Sequence, residues 1–102
     1  MKILHLSLKQ KPFEVMKSGE KLLEFRRPSK WICSRLMNGF IFRKYDYIKF
    51  TNGYGNERPC FLARHKSTKI ATYSYTVNYS NGLTIDVEPG DYVIEFELID
   101  LK

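Results

Sequence analysis

A short helix followed at once by a charged strand, within residues 9–27, constrains the fold most strongly. Proline is tolerated in the first turn of a helix because its missing N–H is not needed there, so Pro12 marks the start of the helix. Lys17 gives the helix a basic last turn, and Gly19 follows where the chain needs a residue that tolerates positive φ. Residues 21–27 then mix leucine, phenylalanine and charged side chains in a pattern typical of a strand. The sequence therefore predicts a helix that hands over to a sheet bearing charges of both signs.

The spacing of residues within these two elements assigns their side chains to faces. Phe13 and Met16 are three residues apart, so both can cover the sheet that lies beneath the helix. Alternate residues of a strand share a face, so Glu24 and Arg26 are expected to be neighbours. Lys21 precedes them at the turn and can reach the same place. These three charges are therefore predicted to meet beside the first helix.

Alternation elsewhere in the chain predicts the rest of the sheet. In residues 2–8 the side chains of Leu4, Leu6 and Leu8 share one face, which we expect to enter the core. The clean alternation that begins at Tyr92 predicts the last strand, which we expect to be central to the core. Further strands are predicted within residues 40–50, 60–63, 70–77 and 84–87.

These elements predict an α+β fold: a small β-barrel of five or six mostly antiparallel strands, with one or two short helices near the N-terminus. The second helix, or an ordered loop in its place, is expected within residues 28–36 and is expected to pack through Trp31. The chain has 102 residues, and we interpret residues 1–102 as one domain. A globular domain of this size buries roughly 60–70% of its extended-chain surface, which is enough for a hydrophobic core that needs no disulfide or metal ion.

Composition limits the setting in which the chain works. No window approaches the roughly 18 apolar residues of a membrane span, and no secretory segment begins the chain, so we expect a soluble cytoplasmic protein that does not bind membranes. Cys33 and Cys60 lack a CxxC spacing and a partner histidine at the spacing of zinc ligands, so we interpret both as buried free thiols rather than a disulfide or metal site. Neither a metal nor a cofactor is expected.

Charge is distributed unevenly along the chain. Residues 1–69 hold sixteen of the seventeen lysines and arginines against five acids, a balance of +11. Residues 70–102 hold one lysine against six acids, a balance of −5. A molecule polarised in this way offers a basic face to a polyanion, and nucleic acid is the first candidate. The alternative is that the lysines are scattered solvated charges.

The order of a strand, a helix ending in Lys-Ser-Gly and a strand with Lys, Glu and Arg resembles the ASCH family of the PUA-like superfamily. Residues 45–50 and 90–96 look like later strands of that fold. The resemblance implies a small PUA-like pseudo-barrel with a basic cleft beside the first helix and with RNA or a nucleotide as its ligand. The residues that carry the resemblance are Leu8, Lys9, Pro12, Phe13, Val15, Lys17, Ser18, Gly19, Lys21, Glu24 and Arg26.

Some members of that family deacylate acetylcytidine with a lysine, a threonine and a glutamate, and others are reported as ribonucleases. Lys21 matches the lysine of the amidohydrolases by its position after the Ser-Gly turn. Glu24 stands at the position of the threonine, and residues 60–80 contain no acid that matches the later glutamate. The chain therefore departs from that catalytic set at two of three positions.

The first functional hypothesis is a binding module for RNA, a nucleotide or a modified nucleoside. Glu24 would accept hydrogen bonds from a base, or would pair with its basic neighbours. Tyr45, Tyr47 and Tyr54 are candidates for stacking on a base, with packing in the barrel as the alternative role for each. The predicted ligand-binding residues are Lys9, Lys21, Glu24, Arg26 and Arg27.

Two other functions remain open from the sequence. A small hydrolase would use Lys21 as base or nucleophile, its pKa depressed by Arg26 and partial burial, while Glu24 moves a proton. Alternatively, Lys21, Glu24 and Arg26 form ion pairs that serve the structure and have no catalytic role. A protein-interaction module would use the acidic C-terminal third or the surroundings of Trp31.

The sequence also leaves one placement open. Arg64, His65 and Lys66 lie between the strands predicted at residues 60–63 and 70–77, and nothing in the pattern fixes their position relative to Lys21. If they lie across from Lys21, the basic groove has two sides.

Overall fold

The elements of the fold were taken from a computed structural model, which describes residues 1–53 and 58–99. Its radius of gyration of 13.4 Å is that of a compact domain of this length. The helices are α1 (Gln10–Lys17) and α2 (Lys30–Leu36). The strands are β1 (Ile3–Leu8), β2 (Leu23–Arg26), β3 (Met37–Asn38), β4 (Ile41–Phe42), β5 (Tyr47–Asn52), β6 (Cys60–Ile70), β7 (Tyr75–Asn78), β8 (Thr84–Val87) and β9 (Tyr92–Leu98).

Five of these strands form one curled sheet in the order β1-β5-β6-β9-β2. The prediction of an α+β fold with helices near the N-terminus is confirmed, but the predicted closed, mostly antiparallel barrel is wrong in two respects. The sheet is mixed, because β1 pairs with β5 in parallel, whereas the other neighbours are antiparallel. It is also a half-barrel, since β1 and β2 are the two edges of the sheet and do not pair with each other.

The inner face of the half-barrel carries the main core. Leu4, Leu6 and Leu8 are all buried there, as the alternation of β1 predicts. Phe13 and Met16 of α1 are buried against the same core, as their spacing predicts. Burial of side chains of this size contributes roughly 1.5–3 kcal/mol each, so α1 is held chiefly by its apolar face. The last strand, β9, is central to the core as expected, because its alternate residues from Tyr92 to Phe96 are buried there and it pairs with β6 and β2.

A second apolar cluster lies on the outer face of β2 and β9. Ala71, Val87 and Val93 form its buried part. Leu23 and Phe25 of β2 pack against it, so these two residues share a face, as predicted. The antiparallel hairpin of β7 and β8 therefore covers the outer side of the sheet edge at which β2 lies.

Helix α2 packs differently from the sequence expectation. Its buried residues are Ile32 and Leu36, which lie four apart on one face of the helix. Trp31 is 48% exposed, and the Arg35 guanidinium lies 5.3 Å from the centre of its ring. The prediction that this helix packs through Trp31 is wrong, because Trp31 lies beside the buried stripe rather than on it. No helix among the described residues is long and apolar enough to cross a membrane.

Candidate functional site

The turn between α1 and β2 brings three charged side chains together on the inner side of the sheet. Gly19 adopts φ +90°, and the Lys21 N–H then donates to the Val15 carbonyl at 2.9 Å, which ties the turn to the helix. Lys21 Nζ lies 2.9 Å from Glu24 Oε1, and Arg26 Nη2 lies 2.9 Å from Glu24 Oε2. The predicted meeting of these three charges beside the first helix is confirmed.

Burial divides the three residues into two that are enclosed and one that reaches solvent. Lys21 is 1% exposed and Glu24 is 5% exposed, while the Arg26 side chain is 25% exposed. The Lys21 ammonium also donates to the carbonyl of Leu23. A charge taken out of water needs a partner and hydrogen bonds, and each enclosed charge here has both. Arg26 is therefore the member of this network that a ligand can touch.

Burial also lowers the pKa of Lys21, and the nearby positive charge of Arg26 acts in the same direction. The negative charge of Glu24 and its hydrogen bond act in the opposite direction and favour the ammonium. The enzyme hypothesis named both causes of the lowered pKa, and burial is the larger of the two. Two cations share one carboxylate, so with Lys21 charged the network carries one net positive charge.

The Arg26 guanidinium spans the opening between the two edge strands of the half-barrel. Its Nη2 donates to the Ser7 carbonyl of β1 at 2.9 Å, and its Nε donates to Glu24 Oε2 at 2.9 Å. Within residues 1–53 and 58–99, the N–H groups of its Nη1 have no acceptor. The side chain is thus held by hydrogen bonds on two sides, and its Nη1 can donate to a ligand at the slot between β1 and β2.

Glu24 is fully occupied by the protein. Its Oε1 accepts from Lys21 Nζ and from the Phe25 N–H at 3.1 Å, while its Oε2 accepts from Arg26. Of the two roles expected for Glu24, pairing with its basic neighbours is the one that these bonds support. A base amino group would have to displace one of them.

The other two predicted ligand-binding residues do not join this network. Lys9 is exposed at the start of α1, two residues after Ser7. Arg27 points to the opposite side of β2, where its Nη1 lies 3.4 Å from Asp91 Oδ1. Adjacent residues of an extended chain point to opposite sides, so the side chains of Arg26 and Arg27 lie on different surfaces.

Arg64 and Lys66 do not form a second side of a basic groove at Arg26. Arg64 lies on the outer face of the sheet, where its Nε is 3.1 Å from Glu97 and its guanidinium lies 5.9 Å from the Tyr47 ring centre. Lys66 Nζ lies 3.9 Å from the same carboxylate. Because Glu24 and its partners occupy the inner face, Arg64 and Lys66 do not line the slot at Arg26.

The tyrosines proposed for stacking also lie away from that slot. Tyr47 is covered by Arg64 on the outer face. Tyr45 donates its backbone N–H to His65 Nδ1 at 3.2 Å and its hydroxyl to the Arg35 carbonyl. Tyr54 lies outside the described residues. Neither described tyrosine is therefore poised to stack on a base held by Arg26.

A different tyrosine lies close to the network, and the sequence did not single it out. Partial burial raises the pKa of Tyr79 to about 12, and the negative charges of Glu24 and Glu20 act in the same direction. The turn after β7 is fastened to the α1 side of the site, since the Ser80 N–H donates to Glu20 at 2.7 Å. Asn81 adds a bond to the Lys11 carbonyl at 3.0 Å. The pair Asn81-Gly82 is typical of a turn, but no local pattern indicates contacts with residues 60 and 70 positions earlier in the chain.

The open cleft along α1 is less basic than expected. It has a volume of about 580 Å³, and its charged lining residues in the described part of the chain are Lys17 and Glu14. The remaining lining residues are Gln10, Phe13, Ser18, Asn52 and Pro59. The charges that line this cleft therefore balance, and Arg26 does not line it.

Cys33 is half-buried and Cys60 is exposed, so the expectation that both thiols are buried is wrong. Across residues 1–53 and 58–99, no group of three or more His, Cys, Asp or Glu side chains is arranged to hold a metal ion.

Comparison of the chain with models of known protein families, with curated proteins and with solved structures found no match.

Proposed function

We propose that this chain is an ASCH-type domain that binds RNA or a nucleotide at the slot between β1 and β2, beside α1. The observation that carries the proposal is the Arg26 guanidinium, which Glu24 and Ser7 hold in place while a quarter of its side chain remains exposed. Guanidinium groups bind phosphate and base edges through paired N–H donors. A side chain that is already fixed loses little conformational entropy when a ligand binds.

The charges around Arg26 support an anionic ligand. Lys21 offsets the carboxylate that holds Arg26, so the positive charge of the guanidinium is not cancelled within the network. Lys9 is exposed two residues after the Ser7 carbonyl that Arg26 contacts. A phosphate at the slot would therefore approach one fixed cation, Arg26, and one exposed cation, Lys9. Phosphate contacts of this kind supply much of the affinity of proteins for nucleic acids.

Hydrolysis with Lys21 and Glu24 is the alternative function, and the lowered pKa of Lys21 is the observation in its favour. A general base or nucleophile must come within hydrogen-bond reach of the reacting atom. Lys21 is 1% exposed, and its ammonium is bonded to Glu24 and to the Leu23 carbonyl. We therefore infer that Lys21 and Glu24 position Arg26, and we rank binding ahead of catalysis.

The substitution Arg26→Ala is expected to weaken binding of a short single-stranded RNA by tenfold or more. A hydrogen bond to a charged group contributes roughly 1.5–3 kcal/mol, which corresponds to at least a tenfold change in Kd. Fluorescence anisotropy at about 50 and about 200 mM salt measures both the affinity and its salt dependence. The loss of one phosphate contact should also reduce the slope of log K against log salt by about 1.

Arg27→Ala is the matched control, because it removes the same charge from the next residue, whose side chain contacts Asp91 and not the network at Arg26. It should change the Kd by less than about twofold. Arg26→Lys retains the charge without the planar fork and should fall between the two. Equal losses in Arg26→Ala and Arg27→Ala, or unchanged binding in Arg26→Ala, would contradict the proposal.

A further inference from the structure

A second cleft, of about 470 Å³, lies between the connection from β4 to β5 and the strand β6. The connection contributes Arg43, Lys44 and Tyr45, and β6 contributes residues 65–68. None of these residues belongs to the network of Lys21, Glu24 and Arg26. The volume is in the range of pockets that take small organic ligands, which is roughly 300–1,000 Å³.

The cleft is positively charged. Arg43, Lys44 and Lys66 line it, and its lining residues within the described part of the chain include no carboxylate. Two acids contact lining residues: Glu95 accepts from the Ser67 hydroxyl at 3.3 Å, and Glu97 Oε2 lies 3.9 Å from Lys66 Nζ. Its other oxygen accepts from Arg64 at 3.1 Å, so Glu97 is shared between two cations and does not neutralise Lys66 fully. Arg43 uses its Nε on the Met37 carbonyl, which leaves its terminal nitrogens for an anion.

An irregularity in β6 shapes the wall of this cleft. The pairing of β6 with β9 shifts register between His65 and Ser67, so Lys66 has no opposite residue in the ladder. Bulges of this kind re-aim side chains and are frequent beside functional sites. Here the bulge lies within residues 65–68, which form one wall of the cleft.

His65, in the wall of the cleft, determines which hydrogen bonds Thr68 can make. The Tyr45 N–H donates to His65 Nδ1, so that nitrogen is unprotonated and the ring proton is on Nε2. Burial lowers the pKa of His65, which favours this neutral ring at neutral pH. The Nε2–H therefore donates to Thr68 Oγ1, 2.9 Å away. The hydroxyl proton of Thr68 then has no acceptor among the described residues and can be donated to a ligand oxygen.

The opposite side of the cleft is apolar. Ile41 and Phe42 line it, and Ile41 is 73% exposed. Phe42 is held from behind by an edge-on contact with Tyr92, whose ring centre is 6.2 Å away. The cleft therefore offers cations and a hydroxyl on one side and a fixed apolar surface on the other.

We propose that this cleft binds a nucleoside phosphate, with the phosphate at Arg43, Lys44 and Lys66 and the base against Ile41 and Phe42. The ligand is either a free nucleotide or one nucleotide of an RNA strand, since both present a phosphate beside a flat ring. This site is separate from the slot at Arg26 and does not depend on it.

Calorimetric titration with adenosine 5′-monophosphate tests the proposal. Arg43→Gln combined with Lys44→Gln should weaken binding at least tenfold, because charge-assisted hydrogen bonds to the phosphate are lost. Lys30→Ala combined with Lys69→Ala is the matched control, since it removes the same charge from exposed positions that do not line this cleft, and it should change the Kd less than about twofold. Lys66→Gln provides a second variant, with an expected loss of several-fold. Thermal unfolding checks that each variant is folded.

Separate ligands identify what the cleft recognises. Adenosine and inorganic phosphate should each bind at least tenfold more weakly than the nucleotide, because each fills one side of the cleft only. A trinucleotide that binds more tightly through Arg43 and Lys44 assigns the ligand to an RNA strand, and equal affinity assigns it to the free nucleotide. No binding at millimolar nucleotide, or equal binding by the double glutamine variant, would overturn the proposal.

Backbone amide shifts in an NMR titration separate this site from the slot at Arg26. The nucleotide should shift the amides of residues 43–45 and 66–68. Shifts confined to Ser7 and Arg26 would overturn the second site while leaving the first proposal standing.

Discussion

Replacement of Glu24 by glutamine is expected to lower the free energy of unfolding by about 3–5 kcal/mol at neutral pH. Glu24 is 5% exposed and is the carboxylate that both Lys21 and Arg26 contact. Glutamine keeps the size of the side chain but removes its charge, so the buried ammonium of Lys21 loses its counterion. Urea unfolding of the variant and the wild type measures the difference.

Glu97→Gln is the control for this loss, because Glu97 also pairs with two cations but its side chain is 48% exposed. Exposed ion pairs contribute about 0–1 kcal/mol, so this variant should be close to the wild type. A loss for Glu24→Gln that is no larger than the loss for Glu97→Gln would show that burial does not make the Lys21–Glu24–Arg26 network important for stability.

The loss caused by Glu24→Gln should become smaller in alkaline solution. Burial already lowers the pKa of Lys21 in the folded protein, and Glu24 opposes that effect. Without the carboxylate the folded-state pKa falls further below the unfolded value, so unfolding takes up a proton and stability rises with pH in that window. The variant should therefore regain stability as pH rises toward the ordinary pKa of lysine. A loss that is constant between about pH 7 and about pH 9.5 would contradict this account.

Phe50→Ala is expected to reduce the free energy of unfolding by about 3–5 kcal/mol through loss of packing and creation of a cavity. Phe50 is fully buried in β5, and its ring centre lies 4.8 Å from that of Phe96 and 5.2 Å from that of Phe61. It therefore joins three neighbouring strands, β5, β6 and β9, in the middle of the half-barrel. Chemical denaturation with an unchanged m value measures the effect.

Phe40→Ala makes the same chemical change at the tip of the hairpin formed by β3 and β4, where the phenylalanine is fully exposed. Its stability should stay within about 0.5 kcal/mol of the wild type. A small effect at Phe50, comparable with that at Phe40, would mean that the core is not built around β5 as described.

Local patterns in the sequence predicted much of the site. Alternation along β2 put Glu24 and Arg26 on one face, and the turn at Gly19 put Lys21 beside them. The near-complete burial of Lys21 was not predictable in this way, because it depends on the curl of the sheet and on α1 covering the inner face. Likewise, nothing local to Tyr79 indicates that its turn packs against a helix far away in the chain.

Two of the incorrect predictions, the direction of β1 and the packing of α2, also have specific causes. Alternating leucines predict that β1 is a strand but carry no information on its direction, so the parallel pairing with β5 was missed. Trp31, which the sequence predicts as the packing residue of α2, is 48% exposed. Ile32 and Leu36 have the i,i+4 spacing of a buried stripe, and that spacing identifies the helix face correctly.

An NMR titration of isotope-labelled protein with short single-stranded RNA tests the central claim most directly, because it reports the Nε–H of Arg26 itself. We expect that signal to shift and saturate together with the backbone amides of residues 7–9, which lie across the slot. Shifts elsewhere with an unchanged Arg26 signal, at RNA concentrations that saturate the protein, would contradict the claim that the slot between β1 and β2 binds RNA.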